Sequence, residues 1–223
     1  MLTDEPIDYT IGHSDFLNLK VDLSLRPLIP RAETEYWTDL AIKVIKVKVP
    51  VLSKVEVLDI FAGSGCIGLA VAKNVPEAHV NFAEVEPKLI EQIKFNATLN
   101  NISPDRFNLI QSDIFSNIPA EKKYDFILAN PPYIPEGRKG ELDKSVTDYE
   151  PHSALFSGAD GLGLIKKFLA GARNFLAPAG EIWLEFDISQ KETLEKLLPE
   201  FGYQTFTFHK DQYDRWRFVV ITA

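Results

Sequence analysis

The sequence predicts an α/β protein: a mostly parallel sheet of seven strands, with helices on both faces and an antiparallel strand pair at the C-terminal end. From residue 55 onward, short apolar runs typical of buried strands alternate with segments of helical periodicity. Strands connected through helices lie parallel in one sheet. The last two strand-like runs have no helix between them, so we expect them to pair antiparallel.

The individual elements follow from periodicity and from breaks at glycine and proline. Pro30 ends an N-terminal extension, residues 1–30, in which residues 8–28 form a possible β-hairpin. Residues 31–223 make up the main domain. The predicted strands are 55–60, 79–84, 106–110, 124–129, 180–186, 203–209 and 215–222. The predicted helices are 33–47, 65–74, one that begins at Pro87, 160–176 and 189–200.

Composition narrows the class of protein. The net charge of −8 disfavours nucleic acid as a partner, because such binders gain most of their affinity from basic side chains. No apolar run is long enough to span a bilayer, so we expect no membrane association. A single cysteine, Cys66, excludes an intramolecular disulfide framework and indicates the cytoplasm. The histidines lack metal-ligand spacing, so we predict no metal site, and we expect a monomer.

A long segment, residues 133–159, separates a predicted strand from the next helix. It is rich in proline, glycine and charge, and no periodic pattern runs through it. Unstructured loops of this length are usually binding loops or lids. We therefore expect it to lie over the edge of the sheet and to take part in function.

A glycine-rich turn follows the first predicted strand of the main domain. Gly63, Gly65 and Gly68 let the backbone turn sharply and approach a ligand where this strand ends and a helix begins. Glu84 ends the next strand, where an acidic side chain can accept hydrogen bonds from a ribose diol. The glycine spacing alone fits NAD, S-adenosylmethionine or a purely structural turn. Asp59 favours S-adenosylmethionine, because a carboxylate suits its cationic amino group better than a pyrophosphate.

The tetrad Asn130-Pro131-Pro132-Tyr133 follows the fourth predicted strand of the main domain. Proline lacks a backbone N–H, so the chain must leave the sheet here. A planar NH₂ group needs two acceptors, which the Asn130 amide oxygen and the Pro131 carbonyl can supply. Tyr133 offers a face on which a planar amide or base can stack. The alternative is a simple Asn-Pro turn, but the position beside a cofactor loop favours a substrate clamp.

These two sites belong to a longer series of motifs. The others are Leu28 to Glu35, Gln111 to Phe115, Tyr149 to Pro151, Ala154-Leu155, Gly158 to Leu162 and Asp214-Arg215. In this order they resemble the bacterial release-factor glutamine methyltransferases (the HemK/PrmC family), which have the Rossmann-like fold of class I S-adenosylmethionine-dependent methyltransferases. The resemblance covers residues 10–223. Phe61 stands where the family commonly has glycine, and the chain lacks the helical domain that usually precedes the segment matching residue 10.

The resemblance implies methyl transfer from S-adenosylmethionine to the side-chain amide of a protein glutamine, with S-adenosylhomocysteine as product. In the family that glutamine belongs to the Gly-Gly-Gln motif of peptide chain release factors, so a release factor is the expected partner. Residues 31–223 would be the methyltransferase catalytic domain. Glutamine methylation of a ribosomal protein and N-methylation of an exocyclic base amine in DNA or RNA stay open as alternatives. A non-catalytic binding module is disfavoured, because it would not need both sites intact.

The same resemblance assigns roles to individual residues. Asn130, Pro131, Pro132 and Tyr133 would bind the substrate amide and form the catalytic group. Independently of the resemblance, Arg31 and Glu33 are expected to line the cleft and bind substrate, or else to lock the long segment after Tyr133. The first turn of a helix explains an acidic residue at position 33 equally well. The expected cofactor-binding residues are Asp59, Phe61, Ala62, Gly63, Ser64, Gly65, Glu84, Asp113, Ile114 and Asn130.

Overall fold

The computed structural model describes residues 4–52 and 54–222, so the outermost residues of the predicted regions 1–30 and 31–223 lie outside the described residues. The strands are β1 (His13–Phe16), β2 (Leu19–Asp22), β3 (Val55–Ile60), β4 (Ala78–Glu84), β5 (Phe107–Gln111), β6 (Tyr124–Ala129), β7 (Leu176–Glu185), β8 (Thr205–Lys210) and β9 (Trp216–Thr222). The α-helices are α1 (Ile7–Ile11), α2 (Ala32–Leu52), α3 (Cys66–Asn74), α4 (Pro87–Leu99), α5 (Lys144–Tyr149), α6 (Gly163–Ala172) and α7 (Lys191–Glu200). Short 3₁₀ turns cover Pro104–Arg106, Glu136–Glu141, His152–Ala154, Arg173–Phe175 and Ile188–Gln190.

Strands β3 to β9 form one sheet, in the order β5-β4-β3-β6-β7-β9-β8. Neighbours from β5 to β7 pair parallel, whereas β9 pairs antiparallel with both β7 and β8. The predicted fold class is therefore confirmed, including the antiparallel C-terminal pair. Helices cover both faces of the sheet, which is why β3 and β6 are buried almost throughout instead of alternating.

The strand order reverses between β3 and β6. The chain runs from β3 outward to β4 and β5, and then returns to place β6 on the other side of β3. Ile60 and Ala129 lie opposite each other where these two strands end. Ligands of open α/β sheets bind in the crevice that such a reversal leaves at the carboxyl ends of the strands. Both predicted sites, the glycine-rich turn after β3 and the tetrad after β6, begin at this crevice.

Hydrophobic cores cover both faces of the sheet. On one face α2, α3 and α4 pack around buried side chains that include Trp37 and Phe82. On the other face α6 and α7 contribute Phe168 and Leu198. Burying a large apolar side chain stabilises the fold by about 1.5–3 kcal/mol. These cores hold the strand ends, and thus the crevice, in fixed positions.

The N-terminal extension contains a hairpin, but it is shorter than the predicted span of 8–28. Residues 7–11 form α1, and the paired strands run from His13 to Asp22. Gly12, at a φ of 87°, separates the helix from the first strand, a conformation that glycine adopts readily. Phe16 and Val21 are buried in the same core as α2. The extension therefore shares the hydrophobic core of the main domain.

Helix α2 is longer than its periodicity indicated. The pattern predicted an end near Val47, whereas the helix continues to Leu52. Val47 and Val51 are 76% and 86% exposed, whereas Val49 and Leu52 pack against the core. The valines of the last turns alternate along the sequence and do not follow the helical period, so the pattern did not indicate a helix there. None of the helices within residues 4–52 and 54–222 is long and apolar enough to cross a bilayer.

The long segment, residues 133–159, has more regular structure than predicted. It contains the 3₁₀ turn Glu136–Glu141, helix α5 and the 3₁₀ turn His152–Ala154. Asp143 caps α5 by accepting a hydrogen bond from the backbone N–H of Ser145. A parallel bridge between Ile134 and Phe156 draws the two ends of the segment together. The expectation of an unstructured loop was wrong because elements of three to six residues are too short to show periodicity.

Candidate active site

The glycine-rich turn between β3 and α3 uses left-handed backbone conformations. Phe61, Gly63 and Gly65 have φ values of 62°, 55° and 79°. A Cβ at Gly65 would lie 3.0 Å from the Ile93 side chain, so glycine also lets α4 approach the turn. A Cβ at Gly68 would lie 2.4 Å from Phe82 Cε1, which only glycine avoids without displacing β4. The turn is consequently in close contact with both α4 and β4.

Asp59 lies beneath this turn and is fully buried. Its Oδ2 accepts a hydrogen bond from the backbone N–H of Gly68 at 2.8 Å. Its Oδ1 has no hydrogen-bond partner among the residues that the structure describes. Burial raises the pKa of Asp59 well above its usual value, and the negative charge of Glu84 adds to the effect. Asp59 therefore supports the turn from beneath through its hydrogen bond to Gly68.

Glu84, at the end of β4, is tied to the turn by backbone hydrogen bonds. One carboxylate oxygen accepts from the N–H of Gly63 at 2.8 Å. The other accepts from the N–H groups of Val85 and Glu86 at 2.8 and 2.9 Å. Burial raises the pKa of Glu84, and these hydrogen bonds oppose the rise. The side chain therefore lies at the edge of the crevice in one fixed orientation.

The tetrad after β6 is held by side chains from distant parts of the chain. Asn130 Nδ2 donates a hydrogen bond to Thr34 Oγ1 on α2 at 3.2 Å. The Tyr133 hydroxyl donates to Glu185 Oε1, at the end of β7, at 3.0 Å. Burial raises the pKa of Tyr133 well above its usual value, and the nearby Glu185 charge reinforces this. Tyr133 is therefore a neutral hydroxyl at physiological pH.

A cleft runs between the glycine-rich turn and the tetrad, and it brings together most of the predicted cofactor residues. Those that line it are Phe61, Ala62, Gly63, Ser64, Glu84, Asp113, Ile114 and Asn130. The predicted substrate residues in the lining are Arg31, Asn130 and Pro132. The remaining wall comes mainly from residues 28–30, from 85–89 and from the end of the long segment at 151–154.

Five predicted site residues do not line the cleft, and most have partners elsewhere. Asp59 bonds to Gly68 N and Gly65 faces Ile93. Tyr133 directs its hydroxyl to Glu185 instead of presenting an open face. The other two are Pro131, which is buried, and Glu33, which interacts electrostatically with Arg217.

Comparison with known proteins identifies the family. The family model described as the methyltransferase small domain matches residues 34–146. Release factor glutamine methyltransferases of Flavobacterium psychrophilum and Streptococcus pneumoniae are 34% and 35% identical to this chain over 221 residues. The alignments cover 97% of this chain and 75% of each relative. The chain belongs to the release factor glutamine methyltransferase family. It is therefore an S-adenosylmethionine-dependent methyltransferase, as its motifs indicated.

Solved structures share the fold of this methyltransferase. The ribosomal protein L11 methylase from Lactobacillus delbrueckii subsp. bulgaricus aligns with a TM-score of 0.62 at 18% identity, over 89% of this chain and 81% of that chain. The N-terminal domain of human METTL16 in complex with SAH has a TM-score of 0.63 at 18% identity, over 93% and 76% of the two chains. At these identities the likeness concerns the fold alone.

The cleft of this methyltransferase fits its cofactor. Gly63 opens onto the cleft, since the nearest atom to a Cβ built there, among the described residues beyond its chain neighbours, would be the Phe61 oxygen at 4.0 Å. Ser112 Oγ donates to the backbone oxygen of Ile114 at 2.8 Å and holds Ile114 in the cleft wall at a φ of 52°. These features leave room in the cleft for the nucleoside and the amino-acid chain of S-adenosylmethionine.

Arg31 connects the long segment to the start of α2. Its guanidinium pairs with the carboxylate of Glu150, which is buried, and the other Glu150 oxygen accepts from the N–H of Ile29 at 3.1 Å. Arg31 also lines the cleft next to Pro151. Arg31 thus secures the end of the long segment against the cleft.

The roles of Thr34, Trp37 and Glu185 at the site were not predicted from the sequence. Trp37 is indeed buried in the core, but its indole N–H also donates to Glu185 Oε2 at 2.6 Å. Glu185 could have been found by the criterion that identified Asp59 and Glu84, an acidic residue at the carboxyl end of an apolar strand. Thr34 gave no such signal, because a threonine in the first turn of a helix is ordinary.

Proposed function

We propose that this methyltransferase transfers the methyl group of S-adenosylmethionine to the side-chain amide nitrogen of a glutamine in a peptide chain release factor, the glutamine of the Gly-Gly-Gln motif. The observation that carries the proposal is Asn130: its side chain lines the cleft at the end of β6, directly across the strand pair from the cofactor turn. Relatives at 34% and 35% identity bear the name of this activity, which supports the same substrate.

The chemistry explains why an amide acceptor belongs at this position. An amide nitrogen is a poor nucleophile, because its lone pair is delocalised into the carbonyl. Acceptors on its two hydrogens raise the electron density at nitrogen and stabilise the positive charge that develops during transfer. We assign these acceptors to Asn130 Oδ1 and the Pro131 carbonyl. The bound cofactor supplies an electrophilic methyl group on a sulfonium.

The remaining roles are positional. Methyl transfer is an in-line displacement in which the N–C bond forms as the S–C bond breaks, so alignment is the main requirement. The amide proton leaves to solvent afterwards, and no strong base is required beforehand. We assign Pro132 to the wall of the substrate site and Tyr133, held by Glu185, to its support. We limit the stacking role proposed for Tyr133 to the support that its ring gives to this wall.

The cofactor residues are proposed by position. Ala62, Gly63 and Ser64 would wrap the methionine and ribose, with Glu84 as acceptor for the ribose hydroxyls. Asp113 and Ile114 would flank the adenine. The proposed reaction takes place in the cytoplasm, where release factors act, on a monomeric enzyme with no membrane or nucleic-acid partner. The net charge of −8 supports a protein substrate over a polyphosphate one.

A labelling experiment tests the proposal. The protein is incubated with methyl-labelled S-adenosylmethionine and a release factor, in parallel with a release factor whose Gly-Gly-Gln glutamine is replaced by alanine. We expect label on the unmodified release factor alone. Calorimetry with S-adenosylmethionine confirms that the protein binds its cofactor. Label on neither substrate, with cofactor binding intact, would contradict the release-factor assignment and turn the search to ribosomal proteins and nucleic acid.

A further inference from the structure

A buried carboxylate at the end of β7 connects Asn130 and Tyr133, the two ends of the proposed substrate clamp. Glu185 is 1% exposed and its carboxylate accepts hydrogen bonds from Trp37 Nε1, Thr34 Oγ1 and the Tyr133 hydroxyl. The distances are 2.6, 2.8 and 3.0 Å respectively. Thr34 in turn receives the hydrogen bond from Asn130 Nδ2 at 3.2 Å. A continuous chain of hydrogen bonds therefore runs from Trp37 to the residue that faces the substrate.

The direction of each hydrogen bond in this chain follows from the donors present when Glu185 is ionised. Burial raises the pKa of Glu185, and the hydrogen bonds from Trp37, Thr34 and Tyr133 oppose the rise. An indole N–H can only donate, so Glu185 Oε2 must accept from Trp37. Thr34 has a single hydroxyl proton, and it is used on the same carboxylate oxygen. The Thr34 oxygen can consequently only accept from Asn130. The amide of Asn130 must then direct its NH₂ group toward Thr34 and its Oδ1 away from it.

We propose that Thr34 and Glu185 are positioning residues that fix the amide orientation of Asn130, so that Oδ1 faces the cleft as the acceptor for the substrate amide. The inference rests on the proposed function, since only an NH₂-bearing substrate needs an acceptor at this point. Within the described part of the chain, Thr34 is the partner to which Asn130 is bonded, and Oδ1 has no partner there. Oδ1 is therefore free for substrate.

The orientation matters because the two ends of an amide are nearly the same shape but opposite in function. An Asn130 side chain rotated by half a turn would present its own NH₂ to the NH₂ of the substrate. Two donors would then face each other in a cleft where neither is satisfied. A hydroxyl free to donate or accept would allow both orientations. Locking the hydroxyl on Glu185 removes the unproductive one before substrate binds.

Threonine variants test the chain directly. Thr34→Val keeps the shape of the side chain and removes the hydroxyl, so we expect the single-turnover methylation rate to fall roughly 10- to 100-fold at saturating cofactor. Thr34→Ser restores the hydroxyl and should recover most of that rate. Thr38→Val is the matched control: Thr38 is a buried threonine one turn along α2, and its hydroxyl bonds to the backbone oxygen of Thr34. It should lose stability to a similar degree but keep its rate.

Glu185→Gln separates the acceptor from the charge. The donor-only indole should draw the glutamine carbonyl to the place of Oε2, and the glutamine NH₂ would then face Tyr133, whose hydroxyl can accept. The bond to Thr34 survives this change, so we expect most of the activity to remain. A rate as low as that of Thr34→Val would overturn the proposal, because the carboxylate charge and not the hydrogen-bond direction would then be required.

A spectroscopic measurement reports on Asn130 without catalysis. The side-chain amide signal of Asn130 in a ¹⁵N-labelled sample is assigned by its loss in Asn130→Ala. We expect one of its protons to exchange slowly with solvent in the unmodified protein and in Thr34→Ser, and rapidly in Thr34→Val. Equal exchange in all of these proteins would refute the chain of hydrogen bonds.

A double-variant cycle distinguishes failure of this inference from failure of the proposed function. If Asn130 is the acceptor and Thr34 acts through it, Thr34→Val should have no further effect on the rate of Asn130→Ala. An Asn130→Ala variant with full activity would instead remove the proposed clamp itself. An inactive Asn130→Ala together with a Thr34→Val variant that matches Thr38→Val would leave the clamp in place and overturn only the positioning role.

Discussion

The turns that leave β3 and β6 face each other across the same crevice, but they are held in different ways. The turn after β3 is fixed by backbone N–H groups that bond to Asp59 and Glu84, with partners 9 and 21 positions apart in the chain. The tetrad after β6 depends on side chains from other elements, with partners 96 and 52 positions away. One turn is encoded locally, whereas the other is assembled from distant elements.

This difference suggests different tolerances. A locally encoded turn loses its shape when a glycine acquires a side chain, and it should then affect stability and cofactor binding together. An assembled site can lose a single hydrogen bond and stay folded, so its variants should affect the chemical step selectively. We therefore expect the largest effects on catalysis at the assembled tetrad and smaller ones at the local turn.

The largest effect is expected for Asn130→Ala. Removing the proposed acceptor should lower the single-turnover rate by about 10²- to 10³-fold, the usual effect of deleting one group that stabilises developing charge. Cofactor affinity, measured by calorimetry, should change little. Asn74→Ala provides a matched control, because Asn74 bonds to a backbone oxygen at the end of α3, outside the cleft. An unchanged rate in Asn130→Ala would remove the tetrad from the mechanism.

A paired glycine substitution examines the local turn. Gly68→Ala should lower the free energy of unfolding by about 1–3 kcal/mol, because its Cβ would lie 2.4 Å from Phe82 Cε1. Gly63→Ala should cost about 1–2 kcal/mol, the penalty of a left-handed backbone at its φ of 55°, and should weaken cofactor binding because Gly63 lines the cleft. Urea unfolding and calorimetry measure the two effects. Equal stability of Gly68→Ala and the unmodified protein would show that β4 can shift to accommodate the added Cβ at little cost in free energy.

Asp59→Asn tests the buried carboxylate through its pH dependence. Burial raises the pKa of Asp59 in the folded state above its ordinary value of 3.8, so the folded protein binds this proton more tightly than the unfolded chain. The carboxylate therefore destabilises the fold increasingly as the pH rises from about 4 toward the raised pKa. Each tenfold difference in proton affinity corresponds to about 1.4 kcal/mol.

The stability gained by Asp59→Asn should accordingly be larger at pH 8 than at pH 4. Urea unfolding curves at both pH values measure this difference. A gain that is independent of pH would mean that the pKa of Asp59 is the same in the folded and unfolded states, contrary to the effect of burial.

The smallest effect is expected at Phe61, which has a φ of 62°. Its ring packs against that of Phe168, with 6.2 Å between the two ring centroids. Phe61→Gly relieves the left-handed backbone but loses the ring contact, so the net change in stability should stay within about 1 kcal/mol. Phe61→Ala loses the contact and keeps the strain. The glycine variant should therefore be more stable than the alanine variant by about 1 kcal/mol. Thermal unfolding of both variants gives this comparison.

The same contrast explains how much the sequence predicted. The strand ends, the glycine-rich turn and Glu84 were found because their spacing lies within one βαβ unit, and the fold class followed from the alternation of elements. The tetrad was recognised by composition, but its support was not. Nothing near Asn130 or Tyr133 in the sequence indicates Thr34 or Glu185, which reach them only after the sheet has formed.

Local errors have a similar origin. The end of α2 was placed too early because Val47, Val49 and Val51 alternate with period two instead of helical spacing. The long segment was expected to lack structure because its helices are short. Asp59 was expected to face the ligand, whereas one of its oxygens is occupied by Gly68. The sequence pattern indicates where a strand ends and in which direction it runs. The direction in which a buried carboxylate points depends on which hydrogen-bond donor is nearest in the folded protein.

The large sequence separation between Glu185 and its hydrogen-bond partners also has a consequence for biosynthesis. Its hydrogen bond to Trp37 joins residues 148 positions apart. At about 5–20 residues per second, a ribosome needs roughly 7–30 s to add the residues between them. During that interval the nascent chain holds both partners of the Asp59–Gly68 bond long before it holds Glu185. Trp37 and Thr34 therefore have no Glu185 carboxylate to bond to until this residue is synthesised, whereas the cofactor turn can form earlier. The substrate clamp is completed late in translation.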